Sequence, residues 1–323
     1  MTKTKPDAAV IGSGVIGLTS AIRLLEAGFN VKIIAKDLPP NTTSNVAAAL
    51  WHPGGVTGKR EQTWCKLGLD VFKEFAKDKA SGIKFVTLHE LSDRAFEDEG
   101  LELSDDLNQA DIGLFPEPWR YGYQFTTARI DVPSYMPFLV NQFEGLGGIL
   151  NQRSVEDIDE LSQNYDLIVN ASGIGAKLLI NDDAVYPIRG QVISVKKPED
   201  LEDDIIHVHT EEIFTYIVPR ENDCILGGTY QEHDDNLIMD EAIAEAILER
   251  TSQFITAFKK PEILAHKVGL RPGRQNVRLE LETRNNTPII HNYGHGSIGH
   301  TLAWGCAKDV ANLAQGLFQP AFT

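Results

Sequence analysis

The fold of this chain is decided by six consecutive residues, Gly12-Ser13-Gly14-Val15-Ile16-Gly17. A short apolar strand, Ala8–Ile11, precedes them, and apolar residues at helical spacing follow from Leu18 to Ala27. In such a strand–turn–helix, the first glycine allows the tight turn, the second admits a pyrophosphate, and the third packs the helix on the strand. The helix N-terminus then faces the phosphate charge. The pattern predicts a bound dinucleotide, which would carry the difficult chemistry.

The residues that follow complete a β–α–β unit. Gly28 ends the predicted helix, and Val31-Lys32-Ile33-Ile34 is predicted to be the second strand. Asp37 lies about 20 positions beyond Gly17, where the fingerprint has an acidic residue for the ribose hydroxyl. The neighbouring Lys36 leaves a 2′-phosphate open as an alternative, although its pairing with Asp37 favours the plain ribose.

The composition is that of an acidic globular protein. Its 323 residues suffice for two domains of roughly 100–200 residues each. The formal charge of -16, from 30 basic and 46 acidic residues, argues against nucleic acid or an anionic membrane as partner. No apolar stretch approaches the roughly 20 residues of a membrane span. Cys65, Cys224 and Cys306 are scattered, which indicates a reducing compartment and excludes a disulfide framework.

The ends of the chain predict a cytoplasmic location. No signal peptide precedes the first strand, and the final Pro320-Ala321-Phe322-Thr323 is not a peroxisomal address.

Further along, the chain alternates between two textures. Tyr165–Gly173 is an apolar strand that ends in small residues, as a nucleotide-binding sheet requires at its ligand edge. The stretch from Gly190 to Tyr230 is rich in β-formers, and a final helix is predicted over Thr301–Leu317. The predicted fold class is α/β, with a Rossmann-like domain interleaved with a mixed β-sheet substrate domain. The approximate boundaries are 1–55, 137–180 and 262–323 for the first domain, and 56–136 and 181–261 for the second.

A hairpin is predicted between Ile213–Arg220 and Cys224–Tyr230. If it centres on Asp223, then Tyr216 and Tyr230 are cross-strand partners on one face, with Cβ atoms about 5 Å apart. The alternative is that both tyrosines cap an edge of the core.

Two later features suit an anionic ligand. Arg271 precedes Pro272, which favours extended backbone, and its guanidinium fork matches a carboxylate, although a plain surface charge is the alternative. The stretch from His291 to Thr301 is a second glycine-rich turn that opens a helix. Its histidines lack a supporting carboxylate or cysteine cluster, so no metal is predicted. His207 and His209 alternate along a strand and are predicted to be structural or surface residues.

Together these pieces resemble the D-amino acid oxidase family of FAD-dependent enzymes, most closely its fungal and bacterial members. The hexapeptide alone is generic, whereas the ordered combination along nearly the whole chain is specific. The other segments that carry the resemblance are Ala35–Pro39, Ala47–Trp51, Val169–Gly173, Ile188–Gln191, Tyr216–Arg220, Gly227–Tyr230, Gly269–Pro272 and His291–Gly294.

The resemblance implies oxidation of a D-amino acid, with a neutral side chain preferred, by hydride transfer from the α-carbon to flavin N5. The imino acid would hydrolyse to a 2-oxo acid and ammonia, and O₂ would become hydrogen peroxide. A D-aspartate oxidase is one alternative, for which His52, Lys59 or Arg60 could supply the second cation. A glycine or amine oxidase, and a catalytically inactive FAD-binding protein, are the others. A homodimer is consistent with the resemblance.

The resemblance also implies roles by position. Arg271 would clamp the substrate carboxylate, Tyr216 and Tyr230 would assist there and at the active-site roof, and the Ser297 backbone would meet the amine. His52, where some relatives have glutamine, is a further substrate candidate. The implied FAD-binding residues are Gly12, Ser13, Gly14, Val15, Ile16, Gly17, Lys36, Asp37, Thr42, Thr43, Ser44, Ala48, Ala49, Leu50, Val155, Ser172, Gly296, Ile298, Gly299, His300 and Thr301.

Overall fold

The computed structural model describes residues 5–93, 95, 101–116, 119–210 and 213–318. Both chain ends, on which the expected location rests, lie outside these residues. The chain folds into two compact units, each assembled from separate stretches of sequence. The first unit comprises residues 1–45, 133–187 and 271–323, and the second comprises residues 46–132 and 188–270.

Strands and helices are numbered along the chain. The strands are β1 (Asp7–Ile11), β2 (Asn30–Ala35), β3 (Ile83–Ser92), β4 (Asn108–Gln109), β5 (Tyr121–Ile130), β6 (Ile149–Gln152), β7 (Leu167–Asn170), β8 (Tyr186–Lys196), β9 (Ile205–His209), β10 (Phe214–Pro219), β11 (Asp223–Gly227), β12 (Gln231–Glu232), β13 (Ile263–Gly273), β14 (Arg278–Arg284) and β15 (Thr287–Tyr293). The helices are α1 (Val15–Glu26), α2 (Thr43–Val46), α3 (Lys59–Phe75), α4 (Val132–Gly145), α5 (Ala176–Leu179), α6 (Glu241–Phe254) and α7 (Gly299–Phe318). None of these helices combines the length and apolar character needed to cross a bilayer.

The first unit is built on a mainly parallel sheet. Across the described residues its strand order is β14-β15-β7-β1-β2-β6. All neighbouring pairs are parallel except β14 with β15. Central β1 is buried from Ala8 to Ile11, as expected for a strand covered on both faces. This architecture confirms the predicted α/β fold class.

The predicted glycine-rich turn joins β1 to α1 and leaves no room for side chains. Gly12 has a φ of 106°, and a Cβ built on it would lie 2.4 Å from the carbonyl oxygen of Ala171. A Cβ on Gly17 would lie 1.9 Å from the carbonyl oxygen of Gly12. Both distances are far inside van der Waals contact, so the turn and the packing of α1 on β1 require glycine at these two positions.

The second unit carries a larger, mixed sheet. Its order in the described residues is β12-β8-β11-β10-β9-β3-β5-β4, with β13 also paired to β8. One face packs against α6 through an apolar cluster that includes Ile193, Ile217, Leu226 and Ile247. The other elements hold the middle strands β3, β9 and β10 side by side, and this brings together residues distant in sequence.

The predicted register of the β10–β11 hairpin is wrong. Tyr216 pairs with Gly227 and not with Tyr230. The turn is shorter than predicted because Arg220 and Asp223 close it: the Arg220 N–H donates to the Asp223 carbonyl oxygen (2.7 Å), and its guanidinium donates to both carboxylate oxygens (2.7 and 2.6 Å). Asp223 therefore begins the returning strand, and Tyr230 lies beyond its end.

We expect Gly17→Ala to destabilise the protein by about 1–3 kcal/mol or more, because its Cβ would overlap backbone that cannot rotate away. Gly316→Ala, in α7 with no heavy atom within 4 Å of the added Cβ, should stabilise it by about 0.5–1 kcal/mol. Urea unfolding of both variants measures the contrast. Equal midpoints would mean that the turn has more room than the structure gives it.

Candidate functional site

Hydrogen bonds tie the glycine-rich turn to two neighbouring loops. The Ser13 hydroxyl donates to the carbonyl oxygen of Asp37 at 2.6 Å. The backbone N–H of Val15 donates to the hydroxyl oxygen of Ser44 at 2.9 Å. A Cβ on Gly14 would lie 3.0 Å from that same hydroxyl oxygen. The turn, the end of β2 and the start of α2 thus form one polar cradle at the N-terminus of α1.

The second glycine-rich turn, between β15 and α7, joins this cradle. The Gly296 N–H donates to the carbonyl oxygen of Pro272 at 2.9 Å, with Gly296 at a φ of 53°. His300 donates from Nε2 to the carbonyl oxygen of Ser44 at 3.2 Å. Ser44 therefore contacts both turns, and Pro272 connects the second turn to Arg271, the preceding residue of β13.

Two buried histidines in the second turn keep unsatisfied polar atoms. Nε2 of His295 and Nδ1 of His300 have no hydrogen-bond partner among the described residues. Burial lowers the pKa of His295 to about 3. Burial also lowers the pKa of His300 to about 4, against the opposing effect of its bond to Ser44. Both rings are neutral near pH 7, so these atoms and the glycine cradle fit an uncharged polar edge of a bound cofactor such as FAD.

The other predicted cofactor residues of the first unit surround this cradle. Lys36 and Asp37 are exposed at the end of β2, and the Lys36 carbonyl oxygen accepts from Gln152 at 3.2 Å. Ser172 donates to the side chain of Asn170 at 2.7 Å, whereas Val155 packs on an apolar cluster. The remaining members lie in the loop before α2, in α2 itself and at the start of α7: Thr42, Thr43, Ile298, Gly299 and Thr301.

Three predicted cofactor residues fall in the second unit. Ala48 and Ala49 are buried, and Ala49 has a φ of 50°. Leu50 makes an isolated bridge to Arg129 of β5. The predicted substrate residues divide in the same way. Arg271, partly exposed in β13, and the exposed Ser297 belong to the first unit, whereas Tyr216, Tyr230 and His52 belong to the second.

The two tyrosines differ in environment although they share a neighbour. Tyr216 is buried and Tyr230 is 47% exposed. The Phe214 ring lies between them, with ring centroids 5.5 Å from Tyr216 and 6.4 Å from Tyr230. The Tyr216 ring lies against the Gly227–Gly228 backbone, where an added Cβ on Gly227 would be 2.1 Å from the ring. Phe214 and these glycines hold Tyr216, and Phe214 also contacts Tyr230.

A buried carboxylate lies close to Tyr216. Glu90 in β3 is almost fully buried, and both of its oxygens lie 2.8 Å from Nδ1 of His207 in β9. Its Oε2 is also 3.0 Å from Nε2 of His52. Glu90 pairs directly with His207 across β3 and β9, and His207 pairs directly with Tyr216 across β9 and β10. Glu90, His207 and Tyr216 therefore form one row across a single face of the sheet.

The ligand types of this cluster, two imidazoles and one carboxylate, would suit a transition metal. The backbone N–H of Gly54 donates to Nδ1 of His52 at 3.1 Å. Because an N–H can only donate, the ring proton of neutral His52 lies on Nε2, the atom that faces Glu90. A metal would need that nitrogen unprotonated, so the geometry favours a hydrogen-bonded cluster.

Sequence reasoning missed the partnership of Glu90 with His207. The available signal was one acidic residue between apolar ones in Leu88-His89-Glu90-Leu91, a strand expected to be buried. Finding its partners required the parallel β3–β9 pairing, which joins residues 117 positions apart. His207 was predicted to be structural or superficial, and it is one of the two residues that compensate the buried charge.

The histidines set the ionisation of Glu90. Burial by itself would raise the pKa of its carboxyl group, but the charge and hydrogen bond of His207 and the hydrogen bond of His52 together lower it to about 2. The charged form is therefore strongly favoured in the folded protein.

We expect Glu90 to make folding acid-sensitive in a defined window. Because its folded pKa of about 2 lies below the ordinary 4.5, its stabilisation is complete above pH 4.5 and is lost as pH falls towards 2. The full effect is roughly 3 kcal/mol. Urea unfolding at pH 6, 5, 4 and 3 should show wild type and Glu90→Gln converging as pH falls. Parallel curves would contradict the assigned ionisation.

Comparison with known proteins agrees with this architecture. Residues 7–313 match the family model described as FAD dependent oxidoreductase, DAO. A D-amino-acid oxidase from Rubrobacter xylanophilus is 40% identical over 95% of this chain and 95% of its own length. One from Dictyostelium discoideum is 38% identical over 97% of this chain and 93% of its own. In fold, a glycine oxidase from Bacillus cereus superimposes with a TM-score of 0.80 at 21% identity, covering 98% of this chain and 96% of that one.

The family match spans both units, and the curated relatives align over nearly their whole length, so the resemblance inferred from the sequence motifs is confirmed. The chain belongs to the FAD dependent oxidoreductase (DAO) family.

Proposed function

We propose that this protein oxidises D-amino acids with neutral side chains. The product imino acid hydrolyses to a 2-oxo acid and ammonia, and the two electrons and two protons removed from the substrate reduce O₂ to hydrogen peroxide. The observation that carries the proposal is the near full-length identity to the D-amino-acid oxidase of Rubrobacter xylanophilus. The glycine cradle and the unsatisfied atoms of His295 and His300 support FAD as the cofactor.

The residues of the two turns would hold FAD, and Ser44 would fix their relation within the first unit. When bound, FAD supplies a two-electron oxidant that accepts the α-hydrogen as a hydride and is reoxidised by O₂. The protein is then required to bind and orient the substrate, since no side chain must remove the α-hydrogen as a proton. Stereochemistry follows from which face of the α-carbon the bound substrate presents.

Arg271 is proposed to bind the substrate carboxylate. Its guanidinium can donate two parallel hydrogen bonds to a carboxylate, which fixes direction as well as position. It lies in β13 next to Pro272, whose carbonyl oxygen accepts from Gly296, so the clamp is attached to the turn proposed to line the flavin. Tyr216 and Tyr230 are proposed to contribute hydroxyl groups near the same carboxylate, with Phe214 packed between their rings.

The contacts of the candidate cations favour neutral over acidic side chains. His52 faces the Glu90 carboxylate at 3.0 Å. The Arg60 guanidinium lies over the Trp64 ring, 4.7 Å from its centroid. Two of the three cations considered for binding an aspartate side chain are therefore held by other groups. This observation supports a neutral-substrate oxidase over a D-aspartate oxidase.

A cytoplasmic location and a homodimeric state complete the proposal. Cys65, Cys224 and Cys306 are all free thiols in the structure, in keeping with a reducing compartment. The homodimer rests on the family resemblance, and sedimentation of the FAD-loaded protein tests it.

We expect D-alanine, mixed anaerobically with the FAD-loaded protein, to bleach the visible absorbance of the flavin. L-alanine and D-aspartate should leave it largely unchanged, and admitting air should restore the colour with release of hydrogen peroxide. Bleaching by L-alanine alone, or by neither enantiomer, would contradict the proposed function. Bleaching by D-aspartate in preference to D-alanine would replace the neutral class by the acidic one.

We expect Arg271→Ala to retain FAD while kcat/KM for D-alanine falls about 10- to 100-fold, the loss of one charge-assisted pair. KM should rise and kcat should fall together, because the guanidinium both binds and orients the substrate. Arg153→Ala is the control, since that side chain forms an exposed ion pair with Glu160 in the same unit. Unchanged kinetics in Arg271→Ala would remove the clamp from the mechanism.

A further inference from the structure

The cluster of His52, Glu90 and His207 places a negative charge inside the second unit, beside two proposed substrate residues. Glu90 has only 1% of its surface exposed, whereas the His52 and His207 side chains are 19% and 12% exposed. The charge is therefore screened from solvent by the two imidazoles, through which any ligand of this face would meet it. Screening by water and salt is weak for a charge so enclosed.

The hydrogen bonds fix how much positive charge can oppose Glu90. The Gly54 N–H occupies Nδ1 of His52, so His52 can donate to Glu90 from Nε2 but cannot take a second proton without losing the Gly54 bond. Only His207 is then left to balance the carboxylate, through Nδ1. With His207 protonated the cluster has no net charge, and with His207 neutral it has a charge of about −1. In neither state does it offer an uncompensated cation.

This charge lies next to the ring of Tyr216. Glu90, His207 and Tyr216 occupy successive positions of one cross-strand row, and the His207 and Tyr216 rings are nearly parallel, with centroids 6.3 Å apart. The His52 ring centroid is 4.9 Å from that of His207. A substrate that contacts Tyr216 or His52 is therefore one imidazole away from the carboxylate.

We propose that Glu90 is a specificity-determining residue that excludes acidic side chains from the substrate site. The inference rests on the proposed oxidase function and on the assignment of Tyr216 and His52 to the substrate site. A second carboxylate, as in D-aspartate, meets the field of Glu90 with no cation free to compensate it. A neutral side chain carries no charge for that field to repel, and it can pack against the rings of Phe214 and Tyr216.

The variant that tests the inference is Glu90→Gln, which removes the charge and keeps the size of the side chain. The matched control is Asp204→Asn. Asp204 pairs with His89 at 3.5 Å, so it is also a carboxylate on a histidine, and His89 is the residue before Glu90 in β3. Successive strand residues point to opposite faces, which places the control pair on the other side of the sheet.

The measurement is kcat/KM for D-aspartate divided by kcat/KM for D-alanine, obtained on each FAD-loaded protein. Because both values come from one preparation, the ratio does not depend on the fraction of active enzyme. We expect about a tenfold rise in Glu90→Gln, the effect of removing one like charge several ångströms away in a partly screened site. Asp204→Asn should keep the wild-type ratio.

Two results would overturn the inference while leaving the oxidase function intact. One is a Glu90→Gln ratio equal to wild type, and the other is wild-type protein that oxidises D-aspartate as efficiently as D-alanine. If Glu90→Gln does not retain FAD, Glu90→Met provides the same loss of charge with an apolar side chain of similar length. Wild-type protein inactive on both substrates would overturn the proposed function, and the inference with it.

Discussion

The first unit depends on the close approach of two backbone segments at the start of α1. Gly17 lies against the carbonyl oxygen of Gly12, and Gly12 lies against that of Ala171 in the loop after β7. These contacts fix α1 on the parallel strands and leave its first N–H groups directed at the cradle that Ser44 completes. The same serine accepts from His300, so the geometry of both glycine-rich turns follows from a constraint only glycine can satisfy.

Much of the first unit was predictable because its signals are local. The hexapeptide, the flanking apolar strands and the distance to Asp37 are each contained within about 30 residues, the length of one βαβ unit. The second turn was found for the same reason, from glycines that precede a helical pattern between His291 and Thr301. Its unsatisfied histidine nitrogens were not predictable, since their burial depends on segments far away in the chain.

The second unit shows where local reasoning fails. The sequence Glu221-Asn222-Asp223 gave no strong signal for the centre of the hairpin, and the side-chain pair between Arg220 and Asp223 decided it. A shift of the centre by less than two residues was enough to separate Tyr216 from Tyr230. The position opposite Tyr216 belongs instead to Gly227, and the absence of a side chain there is what lets the tyrosine ring lie on the strand.

The two units treat buried polar atoms in opposite ways, and this difference indicates their roles. In the first, His295 and His300 keep ring nitrogens unpaired, an arrangement that costs free energy unless a ligand supplies the missing partner. In the second, the carboxylate of Glu90 is saturated by two imidazoles and the outer nitrogen of His52 by Gly54, so this cluster needs no ligand to be stable. A saturated charge cannot bind a substrate group strongly, but its field can still repel one. The structure thus separates attraction, exerted by unpaired groups towards the cofactor, from exclusion, exerted by a paired charge towards the substrate.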